Sequence, residues 1–128
     1  MSHMVAMSMP EITDLDVLSR ACKRLGLTLN LSAKEAVYYA GKRLKCDAAI
    51  SSKESTYEIA VIKNGNGYEI QADLYDGRLA SIVGQGAGKL SQAYQIEMHR
   101  KIAREKGYEI IGERINATNG NIELKIKV

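Results

Sequence analysis

The clearest candidate for chemistry is the run Gly84-Gln85-Gly86-Ala87-Gly88-Lys89. Three alternating glycines let a backbone approach a ligand closely. A helix starting just beyond them would present free N–H groups and a positive dipole end. Lys89 and the upstream Arg78 would add charge. The set Gly84, Gly86, Gly88, Lys89 and Arg78 therefore suits a phosphate or another anion. It is not a P-loop, which needs GxxxxGK[ST]: here Val83 holds the first glycine position and Leu90 follows Lys89. The dinucleotide pattern GxGxxG fails as well, because Gly88 comes one residue too soon. A flexible connector is the commoner use of such a run.

A second candidate is the basic cluster His99, Arg100, Lys101, Arg104 and Lys106. Within it, Arg100, Lys101 and Arg104 could touch nucleic-acid phosphates. Glu97 and Glu105 interrupt the cluster, and i,i+4 neighbours such as Glu97–Lys101 and Arg100–Arg104 mix the signs. A solvated helix face outweighs a nucleic-acid surface on that pattern. The third candidate is Asp73 with Asp76, since paired carboxylates can share a proton or bind a cation. Asp76-Gly77 is also a common turn pair, which explains it without catalysis. No nucleophile elbow, Ser-His-Asp set or HExxH is present, and His99 has no evident Cys or Ser partner. No catalytic residue is assigned.

Composition narrows the classes further. The chain has 128 residues, with 45% apolar and 26% charged, which fits one globular domain spanning 1–128 and argues against wholesale disorder. Eighteen Lys+Arg against fifteen Asp+Glu leave a net charge of +3, which permits anionic partners without demanding them. No apolar run approaches the ~20 residues of a membrane span. The opening Met1-Ser2-His3-Met4-Val5-Ala6-Met7 lacks a basic segment followed by a long apolar one, so it does not read as a signal peptide. Cys22 and Cys46 form no CxxC, and two reduced thiols in a cytoplasmic protein are expected. A zinc site would need both cysteines to converge with His3 and His99. Phe and Trp are absent and seven Tyr supply all the aromatic surface. Core packing explains the tyrosines better than base stacking does. No cofactor or metal is implied.

The hydrophobic spacing says which elements must position these residues. Residues 3–9 read as a short strand stopping at Pro10. Thr13 and Asp14 offer an N-cap, and Leu15, Leu18, Cys22 and Leu25 fall at helical spacing, with Arg20, Lys23 and Arg24 available for the wet face. A helix over 14–25 ending at Gly26 follows. From 27 onward the period becomes two. Leu27, Leu29 and Leu31 alternate, 37–39 and 43–50 could pair about 40–42, and 56–63 and 67–75 flank the turn Asn64-Gly65-Asn66-Gly67. Tyr57, Ile59 and Val61 share one face, as do Tyr68, Ile70, Ala72 and Leu74. Residues 76–88 are glycine-rich and hold no long pattern. A second helix over 89–106 carries the stripe Leu90, Tyr94, Met98 and Ile102, joined by Ala93. Strands at 108–116 and 121–128 close the chain, with Ile122, Leu124, Ile126 and Val128 expected inward and Glu123, Lys125 and Lys127 outward.

Several of these segments together resemble one family. They are Met1-Ser2-His3, Tyr57-Glu58-Ile59, Tyr68 through Gly77, Leu90-Ser91-Gln92-Ala93-Tyr94, Lys106-Gly107-Tyr108 and the closing strand after Asn119-Gly120. Their order and spacing are similar to the hypothetical chloroplast reading frame thirty-five family, a domain-of-unknown-function family encoded by cyanobacteria and some chloroplast genomes. The chain departs from that pattern at Met4, where an aromatic is common, and at Leu74, where the family's Ala-Asp-Trp-Tyr has Trp. Residues 79–88 are also richer in glycine. These departures suggest a divergent member from a bacterium or a virus. The resemblance supports the fold and carries over no catalytic residues.

Hairpin-length connections predict an α+β fold: a mainly antiparallel sheet with two helices packed on one face, a two-layer sandwich. The other face would be wet or would meet a second copy, the latter if Tyr38, Tyr57, Tyr68 and Tyr75 crowd it. The function expected is that of a small non-enzymatic binding or accessory protein. Its partner would be itself, another protein, or a phosphate-bearing ligand near 84–89. The alternatives are an enzyme acting on a nucleotide or phospho-metabolite, with Asp73, Asp76 and His99 as acid–base groups, and a weak nucleic-acid binder.

Overall fold

The computed structural model describes residues 5–6, 12–73, 77–84, 88–115 and 122–127. In chain order the elements are β1 (Val5–Ala6), α1 (Leu15–Arg24), β2 (Leu27–Asn30), β3 (Glu35–Val37), β4 (Arg43–Lys45), β5 (Ala48–Ser52), β6 (Ser55–Asn64), β7 (Gly67–Ala72), α2 (Gly77–Val83), α3 (Gly88–Glu105), β8 (Glu109–Ile115) and β9 (Ile122–Lys127). The fold is α+β with every strand pairing antiparallel. The main sheet has the order β1-β7-β6-β5-β2, and β3–β4 and β8–β9 form separate two-stranded sheets.

Helix α1 begins where the chain supplies a cap. The Asp14 side chain accepts hydrogen bonds from the Asp16 and Val17 amides at 2.9 and 3.1 Å, satisfying donors that the first turn would otherwise leave open. The buried residues Val17, Leu18, Ala21 and Cys22 face the sheet. The β6–β7 hairpin turns through Gly65 at φ 62°, a left-handed conformation that glycine adopts without penalty. One core joins Val17, Leu18 and Cys22 to Ile50, Ile59, Val61 and Ile70 from the sheet and to Leu79, Val83, Leu90 and Tyr94 from α2 and α3. All three helices therefore pack on one face. Residues buried this fully each contribute about 1.5–3 kcal/mol. Tyr94 fills the core with its ring, and its hydroxyl accepts from the Thr13 and Asp14 amides at 3.1 and 3.3 Å.

Four expectations change. First, the glycine-rich stretch 76–88 contains α2, because Leu79, Ile82 and Val83 at i, i+3 and i+4 reach the core. Second, 43–50 is not one strand. The Cys46 amide donates to the Lys34 carbonyl and the Asp47 amide to the Val61 carbonyl, both at 2.9 Å, so the chain crosses from one sheet to another there. Third, the far face of the main sheet is not simply wet. The β3–β4 hairpin lies on it, with Ala36 packed against Ala49 and Ala60, and Leu44, Cys46 and Ile62 around them. Tyr57 and Tyr68 pack on the helix side, so the tyrosine crowding that would have favoured pairing through that face does not arise. Fourth, the closing strands stay outside the main sheet and form a ribbon against α3. Leu124 is half-buried and Ile126 remains 39% exposed.

Cys22 lies in the helix-side core and Cys46 in the small cluster across the sheet, so neither a disulfide nor a shared zinc site forms. Among the described residues no helix is long and apolar enough to cross a membrane.

Candidate functional site

A concavity lies where the end of α1, the first half of α3 and the β8–β9 ribbon meet. It is a cleft of about 590 Å³. Leu25, Ala93 and Ile96 form an apolar floor, and Arg24, Lys89, Arg114 and Glu113 stand around it. Glu113 pairs across the ribbon with Leu124 and shares its inward face, while Arg114 pairs with Glu123 on the outward face.

An ionic hub closes one side of the cleft. Arg24 Nε donates to Glu97 at 2.5 Å, and its two terminal nitrogens each donate to Glu113 at 3.1 Å. Arg100 Nε donates to the same Glu113 carboxylate at 3.0 Å, and its terminal nitrogen adds a second, shorter contact. A bidentate guanidinium–carboxylate fork, Arg24 to Glu113, ties α1 to β8, and Glu97 and Arg100 join α3 to it. The Arg24 guanidinium, followed by Arg100, holds the Glu113 carboxyl below the usual carboxylate range. Glu113 in turn raises Arg24 above its ordinary value. Glu97 is only 8% exposed, so it depends on Arg24 for compensation.

Of the glycine-loop residues, Gly86 lies outside the described residues. Gly84 and Gly88 bracket it, and the chain folds back so closely that a Cβ on Gly84 would sit 2.9 Å from the Lys89 amide nitrogen. Lys89 does line the cleft, but its ammonium donates to the Ser81 carbonyl at 3.2 Å, at the end of α2. Arg78 does not join it. Its side chain donates to the Glu54 carbonyl at 3.5 Å and lines separate depressions beside β6. The anion set expected from the sequence is therefore split: Lys89 belongs to the cleft and Arg78 does not.

The basic cluster is divided in the same way. Arg100 is held by Glu113, and Lys101 by Asp14 at the N-cap of α1. The i,i+4 pair Glu97–Lys101 does not form, because each side chain turns to α1 instead. The Lys101 contact lowers the Asp14 carboxyl and raises the Lys101 ammonium. Arg104 is exposed. Asp73 is buried, while Asp76 and Tyr75 lie outside the described residues. His99 opens into a different groove, beyond α3. Among the described residues no three His, Cys, Asp or Glu side chains gather as a metal site requires.

Arg24, Glu97 and Glu113 escaped the sequence reading, which placed Arg24 on the wet face. A signal was present. Leu90, Ala93 and Glu97 follow i+3 and i+4 spacing, as do Val17, Ala21 and Arg24, so a carboxylate and a guanidinium each sit on an apolar stripe. Such charges need a buried partner.

A family model described as protein of unknown function (DUF1257) matches residues 21–125. The chain belongs to that family. The matched range takes in Arg24, Lys89, Glu97, Glu113 and Arg114, so every wall of the cleft lies within the DUF1257 region. No curated protein and no solved structure matches the chain.

Proposed function

We propose that this DUF1257 protein is a non-enzymatic binding protein, and that the cleft between α1, α3 and the ribbon receives the anionic group of its ligand. The observation that carries this reading is the lining: three cations, Arg24, Lys89 and Arg114, against one carboxylate, Glu113, over an apolar floor. Arg24 is committed to the hub and sets the local potential. Lys89 and Arg114 are exposed, and their present contacts are surface ones worth at most about 1 kcal/mol. They are free to turn toward a phosphate. The carboxylate in the cleft, Glu113, is spent on cations, which suits holding a ligand better than moving a proton. Asp73 is buried against the core and His99 lines another groove, which gives the phospho-metabolite enzyme less support than the binding reading. The pairing of Arg100 and Lys101 within the chain weighs against a nucleic-acid surface. We further propose that the chain is a divergent member of the chloroplast reading frame thirty-five family, from a bacterium or a virus, that works in the cytoplasm.

The test is thermal unfolding in millimolar pyrophosphate, with sodium chloride matched for ionic strength. Ligand at ten times its Kd stabilises the folded state by about 1.4 kcal/mol, a rise of several degrees. The rise should shrink in Lys89→Ala and Arg114→Ala. No rise in the parent, or an equal rise in both variants, would remove the reading.

A further inference from the structure

Among the described residues, strand β9 pairs only with β8. Its other edge has no bulge or proline from Ile122 to Lys127, and no strand among the described residues lies along it. The β8 edge is different: it carries the register shift between Ile110 and Gly112 and faces the cleft. Beside β9 runs an apolar groove of about 280 Å³. The ribbon strands contribute to it only Leu124 and Ile126, both from β9, and α3 contributes Ile102 and Ala103. Ile102 is 41% and Ile126 39% exposed. The open edge and the uncovered apolar surface are therefore continuous.

We propose that the occupant is a second copy of this chain, pairing β9 to β9 about a twofold axis to make a four-stranded β8-β9-β9-β8 sheet. The charges of β9 select the register. Lys125 faces Gly112 across its own ribbon, so no side chain stands opposite it there. Glu123 is already bonded to Arg114, at 3.0 Å to its Nε. In a twofold antiparallel pair centred on Leu124, Glu123 lies opposite Lys125 of the second copy, and Lys125 lies opposite the second copy's Glu123. Each Glu123 then sits between Arg114 and a lysine, and each Lys125 gains an anion directly across the new strand pair. On the inward face, the two Leu124 residues meet at the axis and Ile126 falls opposite position 122, covering the groove's exposed margin. Isologous contacts of this kind close at two subunits, and β-strand addition supplies the backbone hydrogen bonds.

The experiment is the solution mass of the full chain against concentration, by sedimentation equilibrium, for the parent, Lys125→Glu and Glu123→Lys. The parent should approach twice the 14.1 kDa of one chain. Each single variant places like charges opposite each other twice, which should weaken association about tenfold or more. Mixing the two variants sets opposite charges across both positions again, so a heterodimer should form where neither variant self-associates. Far-UV circular dichroism checks that both variants are folded. A parent that stays monomeric at hundreds of micromolar overturns the proposal, including the case where the edge serves a different protein. So does a parent dimer indifferent to both substitutions, or a mixture with no gain over its components.

Discussion

Replacing Arg24 with Met tests whether the ionic hub is what fixes the ribbon to the helices. The substitution keeps most of the aliphatic stem and deletes three charge-assisted bonds, one to Glu97 and two to Glu113. The two losses differ in kind. The Arg24 and Glu113 side chains are 33% and 29% exposed, so water screens that pair to about 0.5–1 kcal/mol. The Glu97 side chain is 11% exposed, and leaving a carboxylate there uncompensated costs about 2 kcal/mol. The sum is about 2–3 kcal/mol at pH 7, or about 10 °C in Tm for a chain of this length. Urea unfolding followed by circular dichroism measures it. Adding Glu97→Leu should recover most of the loss, since an apolar pair of similar volume replaces the buried charges. The pH dependence gives a second readout. Glu113 is lowered in the folded state, so its contribution is complete above its unfolded value and disappears as pH falls through the lowered folded value. The gap between parent and Arg24→Met should therefore narrow as pH drops below about 4.5. A loss under about 0.5 kcal/mol at pH 7, or a gap that widens in acid, would refute the account of the hub.

Two further predictions bear on the core and the glycine loop. Gly84→Ala should destabilise by about 1–3 kcal/mol, because φ is 81° and the new Cβ would meet the Lys89 backbone at 2.9 Å; a variant with unchanged Tm would show that the turn relaxes freely. Burial pushes the Cys22 thiol up to about 12, so alkylation of Cys22 should wait for unfolding, while the half-buried Cys46 reacts first in the native protein. Mass-spectrometric mapping of the labelled sites decides it, and equal native labelling of the two would contradict the packing of α1.

What was legible in the sequence is what short-range patterns encode. Leu15, Leu18, Cys22 and Leu25 behind Asp14 specify α1 because cap and apolar period agree, and Asn64 to Gly67 specify a hairpin because the turn needs a left-handed residue. The break at Cys46–Asp47 was hidden, since a chain crossing between two sheets keeps its alternation on both sides of the crossing. Helix α2 was hidden because seven residues, opening on Gly77 and closing before Gly84, are too few to show a period. Ile102 was expected on the buried stripe of α3 and is 41% exposed, since nothing in a helix's own spacing says how far its neighbours extend. The cleft was legible only at Lys89. Arg24 and Glu97 betrayed themselves only as charges on apolar stripes, and which charge meets which was hidden, because the partners lie 73 and 89 residues apart in the chain.

The ribbon is the place where these threads meet. Its amphipathic alternation is plain in Ile122 to Lys127, yet alternation determines only that a strand has two faces, not which surface each will find. A two-stranded ribbon is marginal by itself, and this one is held to the body by ion pairs from β8, Glu113 to Arg24 and Arg100, and by the packing of β9 on α3. Strand β9 rests its apolar side on α3 incompletely, leaving Ile126 partly in water. An anchor on one strand and an uncovered margin on the other leave the cleft and the β9 edge as opposite sides of one element. Loosening the anchor should therefore disturb both: Arg24→Met should weaken pyrophosphate stabilisation at the cleft and lower the mass average at the β9 edge, whereas Lys125→Glu should lower the mass average alone.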